Sequence, residues 1–245
     1  MFSVIAIRLR QFLLYRSAIL AKIVIFFYRI VDIFIGFRVS RKVEFLVSEE
    51  HKIVLLLNPK VASRSLIKGF TTVEGFHVWE MDVRSANKRF SGYDWYVVVR
   101  NPVDRVRSCF RQKVEMADPI IKARIWKHYS GALHEHLSFS GFIDFVCSEM
   151  GRDEIADRHW KSQVALFGCS TVEDVFAAFD RIFSLDSLGE INEFMFSRYG
   201  LDLEPFDQEL KTDSSLISLG HGDMDRLKKR YRHDFELYKR VTQGV

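Results

Sequence analysis

The chain has 245 residues, of which 48% are hydrophobic, and a formal net charge of +4. A domain of about 200 residues buries roughly 70% of its unfolded surface, so this chain fits one α/β domain with an appendage. The modest positive charge suits an anionic cofactor, an acidic glycan or an anionic membrane surface, and we expect no nucleic acid as a partner.

The first 40 residues form a segment of their own. Between Ser17 and Phe37 lie thirteen Ile, Val, Leu or Phe side chains, interrupted by Lys22, Arg29 and Asp32. Each of those charges costs about 2.5 to 3.5 kcal/mol at the centre of a bilayer, which offsets what the apolar side chains gain. We therefore expect residues 1–40 to form basic, apolar helices on a membrane surface, and residues 41–245 to form the main domain. A true span, or helices packed on the protein's own domain, are the alternatives.

A buried strand followed by a small-residue loop comes next. The apolar run from Ile53 to Leu57 predicts the strand, and Pro59 ends it because proline cannot continue a ladder. Lys60 supplies a positive charge, and a helix opens near Leu66. Between them, Ala62, Ser63 and Ser65 are small enough for backbone N–H groups to face an anion. The stretch therefore predicts an anion-binding loop, with an ordinary strand-to-helix turn as the alternative.

After this loop and its helix, the sequence from Gly75 to Met81 predicts another strand, with His77 near its start. The sequence from Asp82 to Arg89 predicts a helix or loop.

A second loop of this kind follows the strand predicted from Tyr93 to Val99. Arg100 ends that strand, Asn101 is a good N-cap and Pro102 suits the first helical position, so a helix should begin at Pro102. Arg100 and Ser108 can converge on one anion, the arginine bidentately and the serine through its hydroxyl. The sequence thus predicts a second anion site beside the first.

The two loops, PKVASRSL and RNPVDRVRSCF, resemble the signature loops of sulfotransferases that use 3′-phosphoadenosine 5′-phosphosulfate (PAPS), in particular the carbohydrate branch. The resemblance continues through DRHWKSQ, FDRIFSLDSL and RYRHDFELY, and covers roughly residues 45 to 240. Two departures stand out: Arg64 replaces a small hydroxyl residue, and Leu185-Asp186 replaces an aromatic residue followed by Glu.

The resemblance implies a three-layer α/β domain with a central parallel sheet and a P-loop-like nucleotide site. It implies that Lys60, Val61, Ala62, Ser63, Arg64 and Ser65 hold the 5′-phosphosulfate, and that Arg100 and Ser108 hold the 3′-phosphate. Lys60 would also act catalytically, by neutralising charge on the leaving phosphate oxygen. No metal is expected.

Two histidines are candidates for the catalytic base. His77 lies 23 positions before Arg100, and a histidine at about this distance is the base in several branches of the family. Glu80 and Asp82 are carboxylate alternatives nearby. His159, which precedes Trp160 and is expected to open a helix, is either an acceptor-binding residue or an alternative base.

The remaining segments predict helices and loops around this sheet. Residues 111 to 129 are basic, as a solvated helix face or as a rim that attracts an anionic acceptor. His134-Glu-His136 has no third clustered ligand, and we assign it no metal. Further helices are predicted from Phe139 to Met150, from Leu188 to Tyr199 and from Met224 to Val241. A helix leading into a strand is predicted from Val175 to Leu185, and a loop from Lys211 to Gly222.

The sequence therefore predicts sulfuryl transfer from PAPS to a hydroxyl of a carbohydrate or glycolipid. A P-loop kinase is the rival enzyme, but the first loop has no glycine and does not match G-x-x-x-x-G-K-[ST]. A membrane-associated scaffold that binds nucleotide without catalysis is the non-enzyme alternative.

The expected location is the cytoplasmic face of a bacterial membrane, with a Golgi membrane as the alternative. Cys109, Cys147 and Cys169 have spacings that fit neither a zinc site nor a disulfide framework, which favours a reducing compartment. The absence of an N-x-S/T sequon also argues against a eukaryotic secretory lumen.

Overall fold

A computed structural model describes residues 42–116, 129, 132–134, 136–206 and 219–244. The membrane-surface helices predicted for residues 1–40 lie outside this part of the chain. So do most of the predicted basic segment before Tyr129 and most of the predicted loop from Lys211 to Gly222. Among the helices that the structure does describe, none is long and apolar enough to cross a membrane.

The described residues form one sheet with the strand order β3-β1-β2-β4-β5. The strands are β1 (Lys42–Ser48), β2 (Ile53–Leu57), β3 (Phe76–Asp82), β4 (Asp94–Val99) and β5 (Arg181–Ser184). β2 pairs with β4, and β4 with β5, in parallel, whereas β1 is antiparallel to both β2 and β3. Four strands therefore run in one direction, which confirms a mostly parallel sheet, and β1 is a reversed strand that the sequence analysis did not predict.

Helices connect and cover these strands. They are α1 (Ser63–Thr71), α2 (Val83–Arg89), α3 (Pro102–Phe110), α4 (Phe139–Val146), α5 (Gln163–Leu166), α6 (Val172–Ala178), α7 (Gly189–Tyr199), α8 (His221–Arg230) and α9 (Arg232–Gln243). A π-helical turn, Arg111–Glu115, extends α3.

The alternation of side chains along each strand gives the sheet two buried faces. On one face Val54, Leu56 and Val97 pack with α2, α5, α6 and α9. On the other, Leu55 and Val98 pack with α1 and α7. Because both faces are covered, central strands such as β2 read as continuous apolar runs rather than as alternating ones. This arrangement confirms the predicted three-layer α/β fold.

A third apolar cluster lies beyond the sheet and joins α3, α4 and α8 around Trp160. Trp160 is fully buried there and packs edge-on against Phe142 and Phe145. This cluster fixes the position of the turn that carries His159.

Several predicted helix boundaries differ from the structure. α1 begins at Ser63, before the predicted opening near Leu66, and α6 begins at Val172, before Val175. His159 and Trp160 lie in a turn, and the helix that follows begins only at Gln163. α4 ends at Val146 because the chain folds back so closely that a Cβ at Gly151 would lie 2.3 Å from the Val146 carbonyl oxygen. The closing helix is interrupted at Tyr231, whose hydroxyl donates a hydrogen bond to the carbonyl of Trp160 at 2.6 Å.

Candidate functional site

The loop after β2 is held in a tight, preset conformation. The hydroxyl of Ser63 and the N–H of Val61 both donate hydrogen bonds to the carbonyl of Asn58, at 2.8 and 3.2 Å. Lys60 and Ala62 adopt left-handed backbone conformations, with φ of 70° and 50°. Such conformations cost roughly 1 to 3 kcal/mol for non-glycine residues and persist only when the surroundings impose them. The loop therefore keeps a strained shape that a glycine-rich loop would adopt freely.

The helix that follows this loop supplies backbone donors. α1 begins at Ser63, and the first N–H groups of any α-helix have no partner within the helix. Together with the helix dipole, they make its N-terminus a favourable place for an anion. The sequence from Asn58 to Leu66 contains no carboxylate. The chemistry of the loop thus fits a phosphate or phosphosulfate group.

The ammonium group of Lys60 lies in a partly desolvated position. Its Nζ donates a hydrogen bond to Oε1 of Gln112, on the π-helical turn, at 3.0 Å. Burial lowers the pKa of Lys60 to about 8, and the nearby positive charges of Arg100 and Lys113 act in the same direction. An anion bound beside Lys60 would relieve both effects.

Arg100 lies directly against the first loop. Its Nη1 donates a hydrogen bond to the carbonyl of Lys60 at 2.9 Å, and its backbone directly follows the carboxyl end of β4. Burial lowers the pKa of Arg100, although nearby Asp104 opposes the shift. The structure therefore brings Lys60 and Arg100 together at neighbouring strand ends, as the sequence analysis expected.

α3 begins as the sequence predicts. The side chain of Asn101 accepts a hydrogen bond from the N–H of Val103 at 2.9 Å, and Pro102 occupies the first turn. Ser108 is buried, with 5% of its surface exposed, and lies three residues after Arg105 on one helix face. That face is turned towards the first loop, because Nε of Arg105 donates a hydrogen bond to the carbonyl of Pro59.

Arg105 is a positioning residue that the sequence analysis did not single out. It is 1% exposed, and besides Pro59 it donates hydrogen bonds to the carbonyls of Lys161, at 2.7 Å, and Arg158, at 3.1 Å. A single guanidinium group thus joins the loop after β2 to the turn that contains His159. An arginine at the second loop could have been flagged from the sequence, but its three partners are all backbone carbonyls, which no motif records.

His77 lies at the other end of the sheet. It pairs with Val47 of β1, which pairs with Val54 of β2, whereas the anion-binding loop follows Leu57. His77 aligns with Val54, which lies three residues before Leu57, and β3 lies two strands away from β2. With the usual strand dimensions, the Cα atoms of His77 and Leu57 are therefore roughly 14 Å apart. The structure therefore does not bring His77 to the strand ends where Lys60 and Arg100 meet.

Two of the carboxylates considered with His77 also lie on β3. Glu80 aligns through Glu44 with Leu57, so it reaches the carboxyl edge of the sheet. The guanidinium group of Arg158 bridges Glu44 and Glu80, with hydrogen bonds of 3.0 Å and 3.5 Å to their carboxylates. Asp82 instead caps α2, accepting a hydrogen bond from the N–H of Ser85. Glu80 is therefore the carboxylate that shares an edge with the loop.

His159 lies in the turn that Arg105 attaches to the loop. Its Nδ1 is hydrogen-bonded to the carboxylate of Asp157, and its backbone N–H donates to the same carboxylate at 2.9 Å. Burial lowers the pKa of His159, although Asp157 opposes the shift. Burial acts to raise the pKa of Asp157, but the hydrogen bonds from His159 outweigh it and hold that pKa at about 2. The pair is an ionised carboxylate that orients a neutral imidazole.

His159 shares its surroundings with Lys60. The charge of Lys113 acts on Lys60, Asp157 and His159 alike. The structure therefore gathers Lys60, Arg100, Ser108 and His159 at one edge of the sheet and leaves His77 apart. Within the described residues, no cluster of three or more His, Cys, Asp or Glu side chains could hold a metal ion.

Fold and site together define an α/β protein with two cationic side chains and a helix N-terminus at the carboxyl ends of parallel strands, an arrangement that suits an anionic ligand. The sequence profile of the sulfotransferase family matches residues 43–239, which is most of the chain, so the protein belongs to that family. Comparisons with curated proteins and with solved structures give no match. Proteins of this family transfer a sulfuryl group, and the roles of these residues are considered for that reaction.

Proposed function

We propose that this protein transfers a sulfuryl group from PAPS to a hydroxyl of a carbohydrate or glycolipid. The observation that carries the proposal is the hydrogen bond from Arg100 to the carbonyl of Lys60, which unites two cationic groups and a helix N-terminus at neighbouring strand ends. PAPS has anionic groups at its 5′ and 3′ positions, and the two loops offer one cation to each.

The first loop would hold the 5′ end. Backbone N–H groups of Ala62 to Ser65 and the hydroxyl of Ser65 would bind the phosphosulfate, with exposed Arg64 beside them. The N–H of Val61 and the hydroxyl of Ser63 would instead hold the loop in shape through the Asn58 carbonyl. Lys60 would stabilise negative charge as it develops on the leaving phosphate oxygen. Its depressed pKa leaves it mostly protonated near neutral pH, so the charge needed for this role is present.

The second loop would hold the 3′ end. The fixed guanidinium group of Arg100 and the hydroxyl of Ser108 suit a phosphate, because a planar fork of donors matches its oxygens. This contact would distinguish PAPS from nucleotides that carry no 3′-phosphate.

His159 is the residue that we propose as the base. Because Asp157 holds its Nδ1, the Nε2 atom is left to accept the proton of the acceptor hydroxyl. Its pKa, lowered by burial, keeps the imidazole neutral and able to accept a proton near neutral pH. Glu80, at the same edge of the sheet, is the alternative.

The proposed acceptor and membrane association follow from the sequence. The carbohydrate branch of the family is the one that the loops resemble, and the apolar, basic segment of residues 1–40 suits a membrane surface that carries a glycolipid. We retain the cytoplasmic face of a membrane as the proposed location. The rival scaffold function would be favoured by loss of the anion-binding groups, whereas Lys60, Arg100 and Ser108 are all present.

The nucleotide part of this proposal is tested with Arg100→Ala. We expect the variant to lose about 1.5 to 3 kcal/mol of affinity for 3′-phosphoadenosine 5′-phosphate, as measured by calorimetry, with little change for ADP. Arg152→Ala is the matched control, since the Arg152 side chain lies in exposed ion pairs with Glu149 and Glu154, away from the two loops. Equal weakening for both nucleotides would mean that Arg100 does not read the 3′-phosphate.

The base is tested by comparing three variants in a transfer assay. His159→Gln should bind 3′-phosphoadenosine 5′-phosphate as the wild type does, yet lose about 10²- to 10⁴-fold in rate and the acid limb of its pH profile. Glu80→Gln and His77→Ala should keep that limb. If Glu80→Gln loses the limb and His159→Gln retains it, the base is Glu80.

A further inference from the structure

The side chain of Gln163 touches both anion-binding loops at once. Its Oε1 accepts hydrogen bonds from Nδ2 of Asn58, at 2.7 Å, and from the N–H of Arg100, at 3.0 Å. Its Nε2 donates to the carbonyl of Arg100 at 2.9 Å. Asn58 opens the first loop and Arg100 opens the second, so one fully buried amide spans the ends of β2 and β4.

The rest of the molecule fixes the position of this amide. The backbone N–H groups of Gln163 and Val164 donate to the carboxylate of Asp234 on α9, at 2.8 and 3.1 Å. Ser162, directly before it, caps α5 and is itself bonded to Asp153. Asn58 makes a second contact across the strands, to the carbonyl of Val98 at 3.1 Å. The link between the loops is therefore rigid and anchored in the closing helix.

We propose that Gln163 is a positioning residue that sets the separation of the two loops, and that it thereby selects a nucleotide carrying anionic groups at both ends. The inference rests on the proposed function, because it concerns the 5′ and 3′ groups of PAPS. Gln163 itself would not touch the nucleotide. It acts through Asn58, which holds the first loop, and through Arg100, which would bind the 3′-phosphate.

This role has a consequence that simple destabilisation lacks. A ligand with one phosphate uses one loop and tolerates a change in loop separation, whereas a ligand with both phosphates must fit the two loops together. Loss of the link should thus weaken 3′-phosphoadenosine 5′-phosphate about tenfold to a hundredfold. Adenosine 5′-phosphate and adenosine 3′-phosphate should each weaken by less than about threefold.

The experiment measures these three ligands by calorimetry with the full chain. Gln163→Met keeps the length of the side chain and removes its hydrogen bonds. Gln163→Asn keeps the amide and shortens the side chain by one methylene, and it serves if the first variant does not fold. Tyr96→Phe is the control, because Tyr96 is equally buried on β4 but its hydroxyl lies near Asp94 and Tyr199, at the end of the strand remote from Arg100.

The results separate this inference from the proposed function. If the wild type itself does not prefer 3′-phosphoadenosine 5′-phosphate over ADP, the proposed function fails. If the wild type has that preference and Gln163→Met or Gln163→Asn keeps it while only the melting temperature falls, Gln163 is structural and the inference is overturned. A selective loss for the doubly phosphorylated ligand, absent from Tyr96→Phe, supports it.

Discussion

The depressed pKa of Lys60 predicts that nucleotide binding weakens in mild alkali. In the free protein burial places that pKa at about 8, and the positive charge of Arg100 adds to the shift. A bound phosphate beside the ammonium group favours its charged form, so the pKa rises when ligand binds. By linkage, ligand affinity must fall wherever the free protein has lost a proton that the complex retains.

The size of the effect follows from the two protonation states. With a pKa of about 8, roughly three quarters of the lysine is charged at pH 7.5 and about 3% at pH 9.5. The dissociation constant of 3′-phosphoadenosine 5′-phosphate should therefore rise roughly 25-fold over this range, provided that the pKa of Lys60 in the complex exceeds about 10.5. The ligand's phosphates add nothing, since their second pKa lies near 6.

Calorimetry across this pH range tests the prediction, with circular dichroism to confirm that the protein stays folded. Lys60→Arg is the control, because a guanidinium group keeps its charge throughout and its affinity should be independent of pH. A flat profile in the wild type would show that the ammonium group does not bind the phosphate. A wild-type slope that Lys60→Arg reproduces would assign the titration to another group.

Three further predictions follow from the buried polar groups and from the first 40 residues. Arg105→Met should lower the free energy of unfolding by about 3 to 5 kcal/mol in urea denaturation, because three backbone carbonyls lose their donor; a loss under about 1 kcal/mol would contradict this. Burial raises the pKa of Asp234 to about 6, so its contribution to stability is full below its unfolded pKa and is lost as pH rises through about 6. Relative to Asp234→Asn, the wild type should lose roughly 2 to 3 kcal/mol between about pH 4 and pH 7, and a constant difference would mean that Asp234 ionises normally. Deleting residues 1–40 should release the protein from membranes and leave nucleotide binding intact, whereas resistance of the full chain to salt and alkaline carbonate would indicate a true span.

Local signals explain what the sequence predicted well. β2 and β4 are continuous apolar runs because helices cover both faces of the sheet, and such runs are visible without any partner. The start of α3 is encoded by Asn101 and Pro102, which satisfy and pre-shape the first turn on their own. The meeting of Lys60 and Arg100 follows from parallel strands whose carboxyl ends share one edge.

Long-range pairing explains what was missed. β1 lies between β2 and β3 and runs antiparallel to both. The register of its pairing decides which end of β3 lies beside the first loop. Distance along the chain from His77 to Arg100 carries no information about that register. The same limit applies to Gln163, which lies 105 positions after Asn58. Only the three-dimensional structure shows that it links Asn58 to Arg100.

The site therefore depends on elements from nearly the whole matched region. β1 brings Glu44 beside Glu80, α3 brings Arg105 to Pro59, and α9 brings Asp234 to the start of α5. Residues 43–239, the span that matches the sulfotransferase family, begin in β1 and end in α9. β1 pairs with β2, and Asp234 of α9 holds Gln163, which binds Asn58 and Arg100, so we expect removal of either end to loosen the loops. The family's unit of function is thus the whole three-layer domain, in which the last helix positions groups beside the second strand.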